Sequence, residues 1–233
     1  MKFENPLHHA VLLKRYKRFL ADATMDDGAI ITAHCANSGS MLGLKDEGSN
    51  IYMSPNTNPK AKLDWRWEMI EVDGALVGIN TSRPNAIAAE AIEAQQIAEL
   101  CGYDQLKREV KYGANSRIDI LLSNTDNPEL CYVEVKSVTL KRGENAEFPD
   151  SVTARGTKHL NELIEMVKSG HRAVMFYLVQ RSDCNVFNIA KDIDPTYAKT
   201  LAKAKKAGVE ILCYDCELSQ TEINIGKKLE IQI

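Results

Sequence analysis

From the N-terminus to about residue 83, apolar residues recur in short runs broken by turn signals, a pattern that predicts strands and no helix. LLKRYKRFLADAT reads as an extended segment rich in long side chains. It leads into MDDGAIITAHC, where Asp27-Gly28 is a hairpin turn signal. NSGSM and DEGSN are turn clusters, and SPNTNPKAK is a polar loop with two prolines. WRWEMIEVDGALVGINT then reads as two strands around Asp73-Gly74. Short strands with frequent turns predict a small all-β barrel or sandwich over residues 1–83.

The pattern changes at Arg83-Pro84. AIAAEAIEAQQIAEL is Ala-rich and predicts a helix ended by Cys101-Gly102. LKREVKY, RIDILL and CYVEVKSVTL follow as strands, and KRGENAEFPDS as a polar loop. TARGTKHLNELIEMVKSG is amphipathic, with Leu160, Leu163, Ile164 and Val167 as its apolar stripe. RAVMFYLV is nearly continuous in apolar residues, as in a central strand covered on both faces. The helix PTYAKTLAKAKKAG, the strand VEILCYDCEL and a weak terminal strand complete the chain. The order α-β-β-β-α-β over residues 85–179 predicts a mixed α/β layer fold for residues 84–233, the core order of the restriction-endonuclease-like fold.

Composition adds little to this. The chain has 233 residues, 44% hydrophobic and 26% charged, so it can bury a core and is not expected to be disordered. No apolar run approaches the ~18 residues of a membrane span, and MKFENPLHHAVLL carries a Glu and two His where a signal peptide would be apolar. The expected location is cytoplasmic, with no membrane partner. The six cysteines are scattered and read as buried thiols; Cys213 and Cys216 form a lone CxxC without a second ligand pair. The net charge of -3 gives no hint of a polyanion partner, so any such hint must come from local patterning.

CYVEVKSV carries the candidate chemistry. Side chains alternate across a strand, so Glu134 and Lys136 share one face and Val133 and Val135 the other. A Glu and a Lys on an otherwise apolar strand need a partner, a metal or an exit to a cleft. RIDILL holds a single acid, Asp119, which lies beside Glu134 if the two strands pair as a hairpin. Two carboxylates from neighbouring strands make a hard-oxygen site for Mg2+ or Mn2+, and a lysine beside them can orient an attacking water or neutralise phosphate. This is the equipment for phosphodiester hydrolysis, with Asp119, Glu134 and Lys136 as catalytic residues. The bland alternative is a solvated strand face bearing an ion pair.

Other residues stay open between two readings. Glu90 or Glu93 adds a carboxylate from the preceding helix, or both belong to a solvated helix face. Arg155, Lys158 and His159 in the first turns of the later helix meet a phosphate, or form an ion pair with Glu162. KRYKRF interleaves Lys14, Arg15, Lys17 and Arg18 with Tyr16 and Phe19, a mixture that suits a nucleic-acid strand. Snorkelling lysines on a surface strand would look similar. Trp65 and Trp67, on one face of DWRWE, read as core.

The stretches RYKRFLAD, NSGSM, GYDQLKREVKYGANSRIDILL, CYVEVKSVTL and FPDSVTARGTKHLNEL, in this order, resemble the sugar fermentation stimulation protein family (SfsA) over essentially the full length. The resemblance implies an N-terminal OB-fold domain joined to a PD-(D/E)XK nuclease-like domain, and DNA as partner. It maps the nuclease motif onto Asp119, Glu134 and Lys136, an upstream helical acid onto Glu90, and a downstream basic helix onto RGTKHL. Asp119, Glu134 and Glu90 are thus the expected metal ligands, and little sequence preference is expected of the DNA binding. The rival readings are a non-catalytic DNA-binding regulator linked to sugar metabolism and a small-molecule sensor. Oligomeric state stays open, a homodimer included.

Overall fold

The computed structural model describes residues 1–113 and 116–233; Ala114 and Asn115, inside the stretch GYDQLKREVKYGANSRIDILL, lie outside the described residues. Strands β1 (His8–Tyr16), β2 (Leu20–Met25), β3 (Ile30–Cys35), β4 (Asn50–Pro55) and β5 (Trp65–Val72) close into a barrel through a parallel β3–β5 pairing, and β6 (Ala75–Gly78) extends it. This is the expected OB-like barrel. Its interior is filled by Leu12, Ile51, Met53 and Trp67, all fully buried. Trp67 is core as expected, its indole N–H donating to Met69 O at 2.8 Å, whereas Trp65 is half-buried against His8. The turn at Asp73-Gly74 has φ of 53° and 75°, the left-handed pair that a two-residue hairpin turn requires.

LLKRYKRFLADAT is not extended throughout. It folds as the β1–β2 hairpin, with Lys17 and Arg18 in the turn at φ 48° and 66°. No glycine or asparagine announces this turn. Arginine side chains hold it instead: Arg15 Nη2 donates to Arg18 O at 2.9 Å, and Arg18 Nη2 to Ser38 O at 3.0 Å.

The second domain begins with α1 (Pro84–Glu93). The expected helix over residues 86–100 stops early. The chain breaks at Gln95 (φ 56°) and re-forms as a single 3-10 turn, Ala98–Leu100. Burying Ile97 and Leu100 completely against the sheet overrides the helix propensity of the alanines. The strands that follow are β7 (Gln105–Tyr112), β8 (Ser116–Asn124), β9 (Asn127–Val138), β10 (Leu140–Arg142) and β11 (Asn145–Phe148). After α2 (Ala154–Lys168) come β12 (Arg172–Val179), β13 (Val186–Ile189), α3 (Pro195–Lys206), β14 (Glu210–Leu218), β15 (Ile223–Lys228) and β16 (Glu230–Gln232). The main sheet runs β15-β14-β12-β9-β8-β7, with β12 parallel to both neighbours, central as its apolar run predicts. KRGENAEFPDS is not a bare loop: β10 and β11 pair with β13 and β16 in a small second sheet.

One apolar layer joins the sheet to α1 and takes in Leu7, Tyr52 and Met69 from the barrel; the other lies under α2 and α3. Cys213 and Cys216 belong to opposite layers, so the CxxC is two separate buried thiols. Polar contacts also fix the two domains together. Gly78 N donates to Gln180 O at 2.8 Å, and Ser40 Oγ to Asp150 O at 2.7 Å. A Cβ at Gly39 would stand 2.5 Å from Asp150 Oδ2, so a larger residue there would push that carboxylate off Ser40 and Met41 N. Among the described residues no helix is long and apolar enough to cross a membrane.

Candidate metal and phosphate site

β8 and β9 pair antiparallel, with Ile120 opposite Val133 and Leu121 opposite Tyr132. One step further along this register Asp119 faces Glu134, but there the ladder opens. The Asp119 carboxylate replaces it: Oδ2 accepts from Val135 N at 2.8 Å, and Oδ1 accepts from Asn85 Nδ2 at 2.8 Å, at the start of α1. Burial and the charge of Glu134 push the Asp119 carboxyl up to about 6, against the hydrogen bonds from Val135 and Asn85 and the attraction of Lys136.

Glu134 is 1% exposed and faces α2. Lys136 Nζ donates to its Oε1 at 2.6 Å, and His159 Nδ1 hydrogen-bonds the same oxygen. Lys136 Nζ also stands 3.3 Å from His159 Nδ1, and Arg155 Nε donates to His159 Nε2 at 3.3 Å. Burial drives the Glu134 carboxyl upward, but the His159 hydrogen bond and the attraction of Lys136 and His159 outweigh it and hold the group below its usual range. Its second oxygen, Oε2, is buried and has no partner among the described residues. An orphaned carboxylate oxygen beside a second, half-buried acid is a fitting ligand pair for a hard cation that keeps several waters.

The structure brings Asp119, Glu134, Lys136 and His159 together and leaves Glu90 outside. Glu90 is 57% exposed, and its Oε2 pairs with the Met1 ammonium at 2.8 Å. Glu93 is exposed as well. The α1 residue that reaches the acids is Asn85. Among the described residues, no three His, Cys, Asp or Glu side chains converge as a metal cluster.

His159, bonded to Glu134, connects the acids to a cleft of about 640 Å3 that it lines with Lys111, Arg117, Arg155 and Lys158 and with Glu109, Tyr112 and Ser116. Lys111 and Arg117 are direct cross-strand partners. Like charges in that position repel unless an anion lies between them. The Tyr112 hydroxyl is buried, and burial together with the charges of Glu134, Glu162 and Asp119 raises its pKa well above the usual range. Lys158 lies 3.6 Å from Glu162, so the ion pair weighed for this helix belongs to Lys158, while His159 turns to Glu134 and Arg155 donates to His159. Sequence reasoning missed Asn85, Lys111, Tyr112 and Arg117. The available signal was the alternation of REVKY, which puts Val110 and Tyr112 on one face and Lys111 on the other.

The KRYKRF residues divide by role. Arg15 Nη2 donates to Asn37 O at 2.8 Å and Gly39 O at 3.1 Å as well as to Arg18 O, which makes it a structural clamp. The Tyr16 hydroxyl is committed to Asp22 at 3.0 Å. Lys14 is 65% exposed, 3.4 Å from Asp22, and Lys17 and Arg18 are exposed at the turn.

Residues 82–222 match the family described as Sugar fermentation stimulation protein RE domain, and residues 13–79 match the SfsA N-terminal OB domain. A curated relative from Paramagnetospirillum magneticum, a sugar fermentation stimulation protein homolog, is 57% identical over 233 residues, covering 100% of this chain and 98% of its own. One from Maricaulis maris with the same name is 51% identical, covering 100% and 99%. The solved structure of Pyrococcus furiosus SfsA in complex with Ca2+ is similar with a TM-score of 0.90 at 29% identity, covering 100% of this chain and 98% of that one.

Proposed function

The chain belongs to the sugar fermentation stimulation protein family, and from that footing we propose that it is a DNA-binding protein whose second domain is a Mg2+- or Mn2+-dependent phosphodiesterase of the PD-(D/E)XK type. The carrying observation is Asp119, one position beyond the Ile120–Val133 pair and close enough to feel the charge of Glu134, whose Oε2 is buried and unpartnered among the described residues. Asp119 and Glu134 would hold the cation. When bound, the cation supplies Lewis acidity at a phosphoryl oxygen. Lys136, aimed by Glu134 and His159, orients the attacking water and offsets phosphate charge. Lys111, Arg117 and Arg155 grip flanking phosphates, a contact that carries no base sequence. Pyrococcus furiosus SfsA was solved in complex with Ca2+, itself a hard cation, which supports this reading.

A second reading, a non-catalytic DNA-binding regulator linked to sugar metabolism, is favoured by one observation: Lys136 and His159 already occupy Glu134 Oε1. Purified protein incubated with labelled DNA and RNA of several structures, in Mg2+, Mn2+ or EDTA, separates the two. The nuclease reading expects metal-dependent cutting with little sequence preference. No cutting in either metal leaves the regulator.

A further inference from the structure

Three cavities follow one another across the molecule. The cleft beside the acids and a cleft of about 360 Å3 between the domains share Arg155 as a wall. A third cavity, about 790 Å3, opens on the barrel. Only a ridge parts it from the second, where Thr81 N and Oγ donate to Ala36 O at 3.1 and 2.5 Å. Thr81 and Asn37 wall the second cavity, while Ala36 and Ser82 wall the third.

At this ridge the β1–β2 turn presents an aromatic platform. Phe19 is 46% exposed, and its ring stacks on His34 at 6.5 Å and 16°. The Arg18 guanidinium lies 6.0 Å over the Phe19 ring. His34 lines the barrel cavity and Arg18 the interdomain cleft, so the platform stands where the two meet. Phosphodiester chemistry at Asp119 and Glu134 has no use for it. An exposed ring beside a guanidinium is what an unpaired base stacks upon.

We infer that the three cavities form one track for a single DNA strand, running from the Phe19–His34 platform through the interdomain cleft to the acids. For its endpoint the inference rests on the nuclease reading of Asp119 and Glu134. The middle cleft selects the strand. A volume of about 360 Å3 lies at the low end for small-molecule sites and holds a nucleotide-sized group rather than paired bases. Its walls are fixed to each other through Ser40 with Asp150 and Gly78 with Gln180, so it does not widen without breaking both contacts. Cations line all three cavities: Lys62 and Arg66 on the barrel, Arg18 and Arg155 against Glu147 and Asp150 in the middle cleft, and Lys111, Arg117, Arg155 and Lys158 against Glu109 near the acids. The two ends thus attract a phosphate backbone more strongly than the middle.

The test uses the full chain in EDTA and fluorescence anisotropy with labelled oligo(dT) of increasing length, the matching duplexes and oligo(rU). Phe19 and Ser38 are exposed, so Phe19→Ala and Ser38→Trp keep the fold. Single DNA strands bind more tightly than duplexes, with affinity rising with length until the track is filled. Phe19→Ala weakens binding of the longest strand by roughly 5- to 150-fold, the loss of one stacked base, and the penalty grows with length. Ser38→Trp, which fills the middle cleft, flattens the length dependence. Duplex bound as tightly as single strand, or an unchanged length dependence in both variants, overturns the track. A preference for oligo(rU) overturns its assignment to DNA. Cutting in Mg2+ is read on the same oligonucleotides. Cutting without a length effect sinks the track and spares the nuclease reading; length-dependent binding without cutting does the reverse.

Discussion

Asp119 Oδ2 accepts the backbone N–H of Val135 at 2.8 Å, at the point where the β8–β9 ladder has opened. A side chain thus does the work of a strand carbonyl, and the acid is held half-buried beside Glu134 at a cost. Its carboxyl, ordinarily at 3.8, titrates at about 6, so ionising it opposes folding. That opposition is absent below pH 3.8, grows between 3.8 and 6, and is complete above, amounting to about 3 kcal/mol at most. Asp119→Asn should therefore raise the melting temperature by several degrees at pH 7.5, with the gain shrinking toward pH 4. Thermal melts across that range check it; a variant less stable than wild type at pH 7.5 contradicts the account.

Asn85 and Glu90 lie on one short helix and carry opposite expectations. Asn85 Nδ2 orients Asp119 Oδ1, so Asn85→Ala should weaken Mg2+ dependence of cleavage by about 10- to 100-fold, the usual effect of losing a partner of a metal ligand. Glu90, paired with the Met1 ammonium, should give an unchanged metal titration as Glu90→Gln. Mn2+ calorimetry and Mg2+-dependent cutting are the measurements. A loss in Glu90→Gln as large as in Asn85→Ala would return Glu90 to the site.

The juxtaposition of Asp119, Glu134 and Lys136 was legible because strand side chains alternate strictly and a hairpin fixes register. The apolar stripe of α2 was legible from its helical period. Both signals are local and repeat within a few residues. The end of α1 was not, because the full burial of Ile97 and Leu100 depends on a sheet formed by residues far along the chain. Lys17 and Arg18 take left-handed conformations held by side chains donating to carbonyls, a context that residue identity does not encode. Glu90 was misplaced for a related reason. The family pattern supplies an acid on the helix, but the direction it faces depends on how α1 rotates against the sheet. The opposition of Lys111 and Arg117 needs the β7–β8 register, which RIDILL alone does not fix.

KRYKRF separates into a clamp and a contact surface. Arg15 donates to three backbone carbonyls, so Arg15→Ala should cost about 2–3 kcal/mol and lower the melting temperature by roughly 5–10 °C. Lys14 and Lys17 are exposed, and removing both should leave the melt within about 0.5 kcal/mol. It should weaken DNA binding alike for all sequences, making the salt slope shallower by roughly one for each phosphate left without its lysine. Melting curves and binding isotherms at several salt concentrations decide. A salt slope unchanged in the double lysine variant would leave this segment with structure alone.

Glu134 and Lys136 distinguish an enzyme from a regulator because their charges act oppositely on a phosphate. Glu134 repels the DNA backbone unless a cation stands between them, whereas Lys136 attracts it. Glu134→Gln keeps the shape and a hydrogen-bond acceptor for Lys136 and His159 while removing the charge a cation needs. In Mg2+ it should lower cleavage by more than about 100-fold, a loss of the size seen when one electrostatic group is removed from a preorganised site. In EDTA it should bind DNA as tightly as wild type or more so. Lys136→Ala should lose cleavage too, but binding in EDTA should also weaken, by up to about fivefold for one partly screened charge. Cleavage and anisotropy on the same oligonucleotides, for wild type and both variants, give a pattern that is diagnostic. Loss of binding in Glu134→Gln would mean that the carboxylate holds the fold of the cleft rather than a cation. Equal cutting by Glu134→Gln and wild type would place the chemistry on other residues.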